Sequence, residues 1–113
     1  MNTKTVATNR KASFEYFLLE HFEAGLALQG SEIKSIRAGQ VSLGEAYIKI
    51  DGHDAWLLNA HISPYDPASR YNHDPLRPRR LLLHRSEIRK MWDQVRQKGV
   101  TIVPVRIYLK DGR

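Results

Sequence analysis

Asn72-His-Asp-Pro-Leu-Arg-Pro-Arg-Arg-Leu-Leu-Leu83 sets three arginines within four residues directly against a run of leucines. The sequence predicts a basic loop that runs straight into a buried element, so its charges are held on a fixed surface. Residues 70–90 carry seven of the 18 lysines and arginines, against only Asp74 and Glu87. Five of the chain's six net positive charges therefore lie there. Guanidinium groups make planar, two-pronged hydrogen bonds to phosphate, so a patch rich in arginine is the footprint expected of a nucleic-acid binder. The competing reading is a solvated arginine loop without a partner.

Outward from this stretch the charge is uneven. Residues 12–69 hold eight acids against Lys34, Arg37 and Lys49, while residues 1–11 and 91–113 are each net basic. An acidic front half discourages indiscriminate coating of RNA, which predicts one defined docking face. The pI near 9.8 favours an anionic partner. A length of 113 residues reads as one domain with a modest core. No apolar run is long enough for a membrane span, and Met1–Lys11 lacks the apolar stretch of a secretory signal. The absence of cysteine excludes disulfides, thiolate zinc sites and a cysteine nucleophile, and fits a cytoplasmic protein.

The polar residues 1–8 read as disordered. Phe14, Tyr16, Leu18, Phe22, Leu26 and Leu28 share one parity, broken at Glu20, which reads as a long half-buried strand. Ala24-Gly25 inside it suggests a bend of the kind found at a barrel corner. A helix over residues 14–22 is the alternative. Gly30–Gly39 reads as a short helix with Ser31 as N-cap, Ile33 and Ile36 as its apolar stripe and Gly39 as its left-handed stop. Asp51-Gly-His-Asp54, between Ala46–Ile50 and Ala55–Asn59, is a hairpin signal. Residues 61–78, with four prolines, read as a long irregular connection. From Arg85 to Lys98, the residues Ile88, Met91, Trp92 and Val95 fall at helical spacing, and Gly99 follows as a stop.

Val100–Leu109 reads as a strand that Pro104 marks as an edge or a bulge. The terminal Asp111-Gly112 is a hairpin turn with no strand after it, which reads as truncation and as an unpaired edge on Val100–Leu109. Together these elements suggest a mainly β fold, an OB-type Greek-key barrel with flanking short helices.

His61, His73, Asp74 and His84 lack metal-ligand spacing, and His73 beside Asp74 has no nucleophile elbow near it. Histidines that hydrogen-bond backbone are the reading adopted. No catalytic residue, metal or cofactor is expected. Tyr65 and Tyr71, in the irregular loop, are the candidates for stacking on unpaired bases. Phe22 and Trp56 fall in core parity.

Asn9-Arg-Lys-Ala, Phe22-Glu-Ala-Gly-Leu-Ala-Leu-Gln-Gly, Glu32-Ile-Lys-Ser-Ile-Arg-Ala-Gly, Asp74-Pro-x-Arg-x-Arg-Arg-Leu-Leu-Leu and the helix with Glu87 resemble the bacterial small protein B family of tmRNA-binding (SsrA-binding) proteins. The likeness runs from Asn9 to Arg113. It implies an OB-type barrel without catalytic activity that binds the tRNA-like domain of tmRNA and carries it to ribosomes stalled on broken messages. It implies RNA-binding roles for Asn9, Glu23 and Leu82. By the same match Arg10, Lys11, Lys34, Arg37, Arg77, Arg79 and Arg80 are candidate contacts. Ser13-Phe14 and Gln40 depart from the family's pattern. The expected partners are tmRNA and the ribosome with its small-subunit rRNA, with no membrane, for a protein acting as a monomer. A general ribosome-associated OB module that binds rRNA is the alternative.

Overall fold

The computed structural model describes residues 3–10, 21–51, 53–64, 73–99 and 101–110. Within them, eight strands and two helices follow in the order β1 Thr3–Thr8, β2 Gly25–Leu26, α1 Gly30–Arg37, β3 Val41–Ser42, β4 Tyr47–Ile50, β5 Ala55–Leu58, β6 His61–Ile62, β7 Arg79–Leu82, α2 Arg85–Lys98 and β8 Arg106–Lys110. The fold is mainly β with two helices. All strand pairs are antiparallel, in three sheets ordered β2-β7-β5-β4, β1-β8 and β3-β6. Among the described residues these sheets do not close into a barrel.

The hairpin and the second helix form where the pattern predicts. β4 pairs β5 with Ile50 opposite Ala55 and Ile48 opposite Leu57. Gly52 lies outside the described residues. Asp51 holds the turn: its Oδ1 accepts the backbone N–H of Asp54 at 2.8 Å and of His53 at 3.2 Å, and its Oδ2 accepts Trp56 Nε1–H at 3.2 Å. The two backbone donors are the main cause that holds the Asp51 carboxyl below the ordinary aspartate range. In α2, Ile88 and Met91 are buried against Ile50 and Ala55, with Trp92 packed alongside. Gly99 caps the helix at φ 63°, a conformation that disfavours any side chain. Leu43, Ala46, Leu57 and Ala60 form a second buried cluster, and Ile48 and Leu81 pack against both.

Several expectations are corrected. Thr3–Thr8 is not disordered. It pairs with β8 from Thr3 opposite Lys110 to Thr8 opposite Arg106, with Val6 as an extra residue in a bulge. The same pairing covers one edge of Arg106–Lys110; among the described residues no strand pairs with the other. The regular strand there starts only at Arg106, because Pro104 cannot donate to a ladder, although Ile102 bridges to Ile48. His61–Ile62 belongs to a strand paired with β3, not to the irregular connection.

The N-cap of α1 is Gln29, whose N–H donates to Glu32 Oε1 at 2.8 Å, while Ser31 sits inside the first turn. The buried face of α1 is Glu32, Ser35 and Ile36; Ile33 is 37% exposed. Gly39, at φ 74°, ends the helix as expected. Its N–H bonds Ile36 O at 2.9 Å and that of Gln40 bonds Ser35 O at 2.9 Å, the paired closure of a Schellman motif.

Of the strand expected over residues 14–28, residues 14–20 lie outside those described. In its described part only Gly25–Leu26 is strand. Tyr65, Tyr71 and the Asp111-Gly112 turn also lie outside the described residues.

Candidate nucleic-acid interface

Successive side chains of a strand point to opposite faces, so β7 divides the arginine-leucine run into two rows. Arg79 and Leu81 turn inward, while Arg80 and Leu82 turn outward. The three arginines expected to act together as one basic loop are therefore divided: Arg77 and Arg79 bind Glu32, and Arg80 faces outward.

Arg79 is completely buried. Its Nε donates to Glu32 Oε2 at 2.6 Å, and its Nη1 donates to Ala60 O at 2.7 Å and Pro75 O at 3.1 Å. Its Nη2 lies 2.6 Å from Glu32 Oε2 and 3.3 Å from Asp74 O. These partners use the five donors of a guanidinium. Arg79 is thus corrected from a phosphate contact to an internal tie between β7, α1 and the chain around Asp74–Pro75. Arg77, whose side chain is 30% exposed, shares that tie: its Nη2 donates to Glu32 Oε1 at 2.6 Å. Burial by itself would raise the Glu32 pKa. The hydrogen bonds from Arg77, the Gln29 backbone and Arg79 outweigh it and hold this carboxyl below its ordinary value.

His73 belongs to the same framework. It is buried, with Nε2 2.8 Å from Ile62 O and Nδ1 2.8 Å from Ser31 Oγ. A carbonyl only accepts, so Nε2 carries a proton and donates to Ile62 O. This is the backbone-bonded histidine expected from the sequence. Among the described residues, no group of three or more His, Asp or Glu side chains is placed to hold a metal ion.

On the outer row, Arg80 is 57% exposed and its guanidinium meets Asp54 Oδ1 at 2.8 Å. Leu82 is 56% exposed. It stands opposite Gly25 in β2, where a Cβ would lie 3.3 Å from its Cδ1. The bare glycine gives this leucine room to lie across the neighbouring strand. Arg80, Leu82 and Glu23 line one open groove together with His84 and Arg85 at the start of α2 and His53 in the hairpin turn. His84 caps α2, with its N–H donating to Glu87 Oε1 at 3.0 Å.

Three of the predicted residues, Glu23, Arg80 and Leu82, therefore meet in one groove. Lys34 and Arg37 are exposed on α1 and do not line it, and Arg10 is exposed after β1. Asn9 is buried: its N–H donates to Val105 O at 2.7 Å and its Nδ2 to Pro104 O at 3.0 Å. Lys11 lies outside the described residues. The sequence reading missed Glu32 as a hub and missed His53, Asp54, His84 and Arg85 as groove residues. For Glu32 the available signal was its place at the third position of a capped helix.

A sequence model of the family described as "SmpB protein" matches residues 6–113. The chain belongs to the SmpB family. Its SmpB relatives include the SsrA-binding protein of Desulforudis audaxviator, 52% identical over 110 residues that make up 97% of this chain and 72% of the relative. That of Thermosynechococcus vestitus is 53% identical over 111 residues, 97% of this chain and 73% of the relative. Among solved structures, a chain from "tmRNA-SmpB: a journey to the center of the bacterial ribosome" superposes with a TM-score of 0.76 at 43% identity. The match covers 93% of this chain and 73% of that SmpB-family chain.

Proposed function

We propose that this chain is an RNA-binding adaptor. It binds the tRNA-like domain of tmRNA (SsrA RNA) and delivers it to stalled ribosomes for trans-translation, meeting small-subunit rRNA there. Membership of the SmpB family and relatives named for SsrA binding support the reading. The observation that carries it is the groove shared by Glu23, Arg80 and Leu82. It combines a guanidinium for phosphate, an apolar knob for a base or ribose face and a carboxylate for a base edge. Arg10, Lys11, Lys34, Arg37 and Arg77 add further phosphate contacts, and Asn9 acts by holding the fold. The role is non-catalytic, in the cytoplasm, as a monomer and a single RNA-binding domain. No described helix is long and apolar enough to cross a membrane. An OB-type arrangement is supported by the all-antiparallel pairing and by the Ile48–Ile102 bridge, which leads from the β4 sheet towards β8.

The test is a gel shift at about 150 mM salt, a physiological ionic strength. It compares the tRNA-like domain of tmRNA, an elongator tRNA and an rRNA fragment. The tmRNA domain binds tightest. Glu23→Gln weakens its binding by about 1–3 kcal/mol, more than it weakens non-specific binding, although it removes a negative charge. Equal affinity for all three RNAs would leave only a general rRNA-binding module.

A further inference from the structure

The arginines singled out by the sequence are tied to acids: Arg77 and Arg79 to Glu32, and Arg80 to Asp54. The arginines of α2 are not. Arg85, Arg89 and Arg96 are exposed, and among the described residues none of them makes an ion pair. At about 100° per residue they fall within about 40° of arc, in one row about 16 Å long. Trp92 borders this row on the core side, and the Arg96 guanidinium lies 5.7 Å from its ring centroid. Asp93 flanks the row on the solvent side without an ion pair to it. Arg85 is also a groove residue, so the row continues the groove along the helix. It occupies the first helical position, where the positive end of the helix dipole disfavours a cation. That placement does not serve the stability of the free protein.

We propose that Arg85, Arg89 and Arg96 form a ridge that binds the sugar-phosphate backbone of the same RNA that fills the groove, the tRNA-like domain of tmRNA. This rests on the RNA-binding reading above. Three guanidinium groups in a line, without internal acids to neutralise them, match a polyanion that runs along the helix. A groove occupied at Glu23, Arg80 and Leu82 directs the backbone onto Arg85 first. Arg96, braced on Trp92, lies at the far end.

The experiment measures how the affinity of the full chain for the tRNA-like domain depends on salt. One variant carries Arg85→Gln, Arg89→Gln and Arg96→Gln. A charge-matched control carries Lys4→Gln, Lys49→Gln and Arg106→Gln. Each phosphate contact contributes about 0.7–0.9 to the slope of log K against log salt. The ridge variant therefore loses about two to three from the slope, and the control loses less than half as much. Circular dichroism and thermal unfolding check that both variants fold. Arg89→Gln alone, exposed at mid-helix, is expected to lose about 0.7–0.9 and replaces the triple variant should that one fail to fold. Equal loss in ridge and control variants, or an unchanged slope in the ridge variant, overturns the ridge. A wild-type preference for tmRNA with an unchanged ridge slope removes the ridge and keeps the adaptor reading. Slope loss on every RNA, with no wild-type preference, removes the adaptor reading instead.

Discussion

The carboxylate of Glu32 accepts the Arg79 Nε–H at 2.6 Å with neither side chain reaching solvent. The two residues are 47 positions apart, and Arg77 and the Gln29 N–H complete the carboxylate's shell. Two buried charges are tolerable only when each is fully hydrogen-bonded, and no buried side-chain nitrogen or oxygen among the described residues lacks a partner. The pair therefore fixes the start of α1 against β7. The outward row of β7, Arg80 and Leu82, takes its direction from the strand anchored in this way.

Arg79 and Arg80 are neighbours with opposite expected phenotypes. Arg79→Ala leaves Glu32 buried with only the part-exposed Arg77 as its charged partner and takes from the Ala60 carbonyl its donor, so it is expected to cost about 3–5 kcal/mol of stability. Arg80→Ala removes an exposed pair and costs at most about 1 kcal/mol of stability, but it weakens RNA binding. Urea unfolding and a gel shift on both variants check this. A stable Arg79→Ala protein with weakened RNA binding would reverse the assignment.

Glu32 also predicts an acid sensitivity. Its folded pKa lies below its unfolded value, so ionised Glu32 contributes stability that is fully present above the unfolded pKa, about 4.3. That contribution is lost as pH falls from there through the folded pKa. Glu32→Gln, less stable at neutral pH, lacks this portion, so the gap between wild type and variant narrows as the solution is acidified below about pH 4.3. Urea unfolding at stepped pH measures the gap. A constant gap across that range would show that the Glu32 charge does not stabilise the fold.

What could be read in advance follows the range of the interactions. The helix at Arg85–Lys98 and the hairpin around Asp51 are set by periodicity and by neighbours within five residues, and both stand where the pattern put them. Arg79 could not be placed that way, because its burial depends on Glu32, and a loop was assumed where strand alternation had already begun. The N-terminal strand was missed for a similar reason. Thr3, Thr5, Val6 and Thr8 are β-branched, a usable strand signal, but their partner lies about a hundred residues on. In the groove, the chain resemblance supplied Glu23 and Leu82. His84, Arg85 and Asp54 come from three-dimensional proximity alone.

Leu82 and Gly25 form a second testable couple. Leu82→Ala removes an exposed side chain, so its stability cost is within about 0.5 kcal/mol, while tmRNA binding weakens by about 1 kcal/mol. Gly25→Ala sets a methyl 3.3 Å from Leu82 Cδ1, tight enough to push that side chain aside. It should lower tmRNA affinity in the wild-type background and have little effect once Leu82 is alanine. A double-mutant cycle read by gel shift decides it. Additive effects would mean that Gly25 acts independently of the leucine.

Asn9 separates a structural role from a direct one. Only 5% exposed, it continues the β1–β8 ladder through its N–H to Val105 O, and its amide Nδ2 donates to Pro104 O. Asn9→Ala removes the side-chain donor from a part-buried carbonyl, a loss of about 0.5–1.5 kcal/mol. The loosened segment is the end of β1, not the groove. The variant should therefore unfold at a lower urea concentration, yet bind the tRNA-like domain with near wild-type affinity at a temperature where both proteins are folded. Asn9→Asp keeps an acceptor oxygen and lacks the Nδ2 donor, so it should be at least as destabilised as Asn9→Ala. Unchanged stability with a large loss of RNA affinity would move Asn9 from the framework to the contact surface.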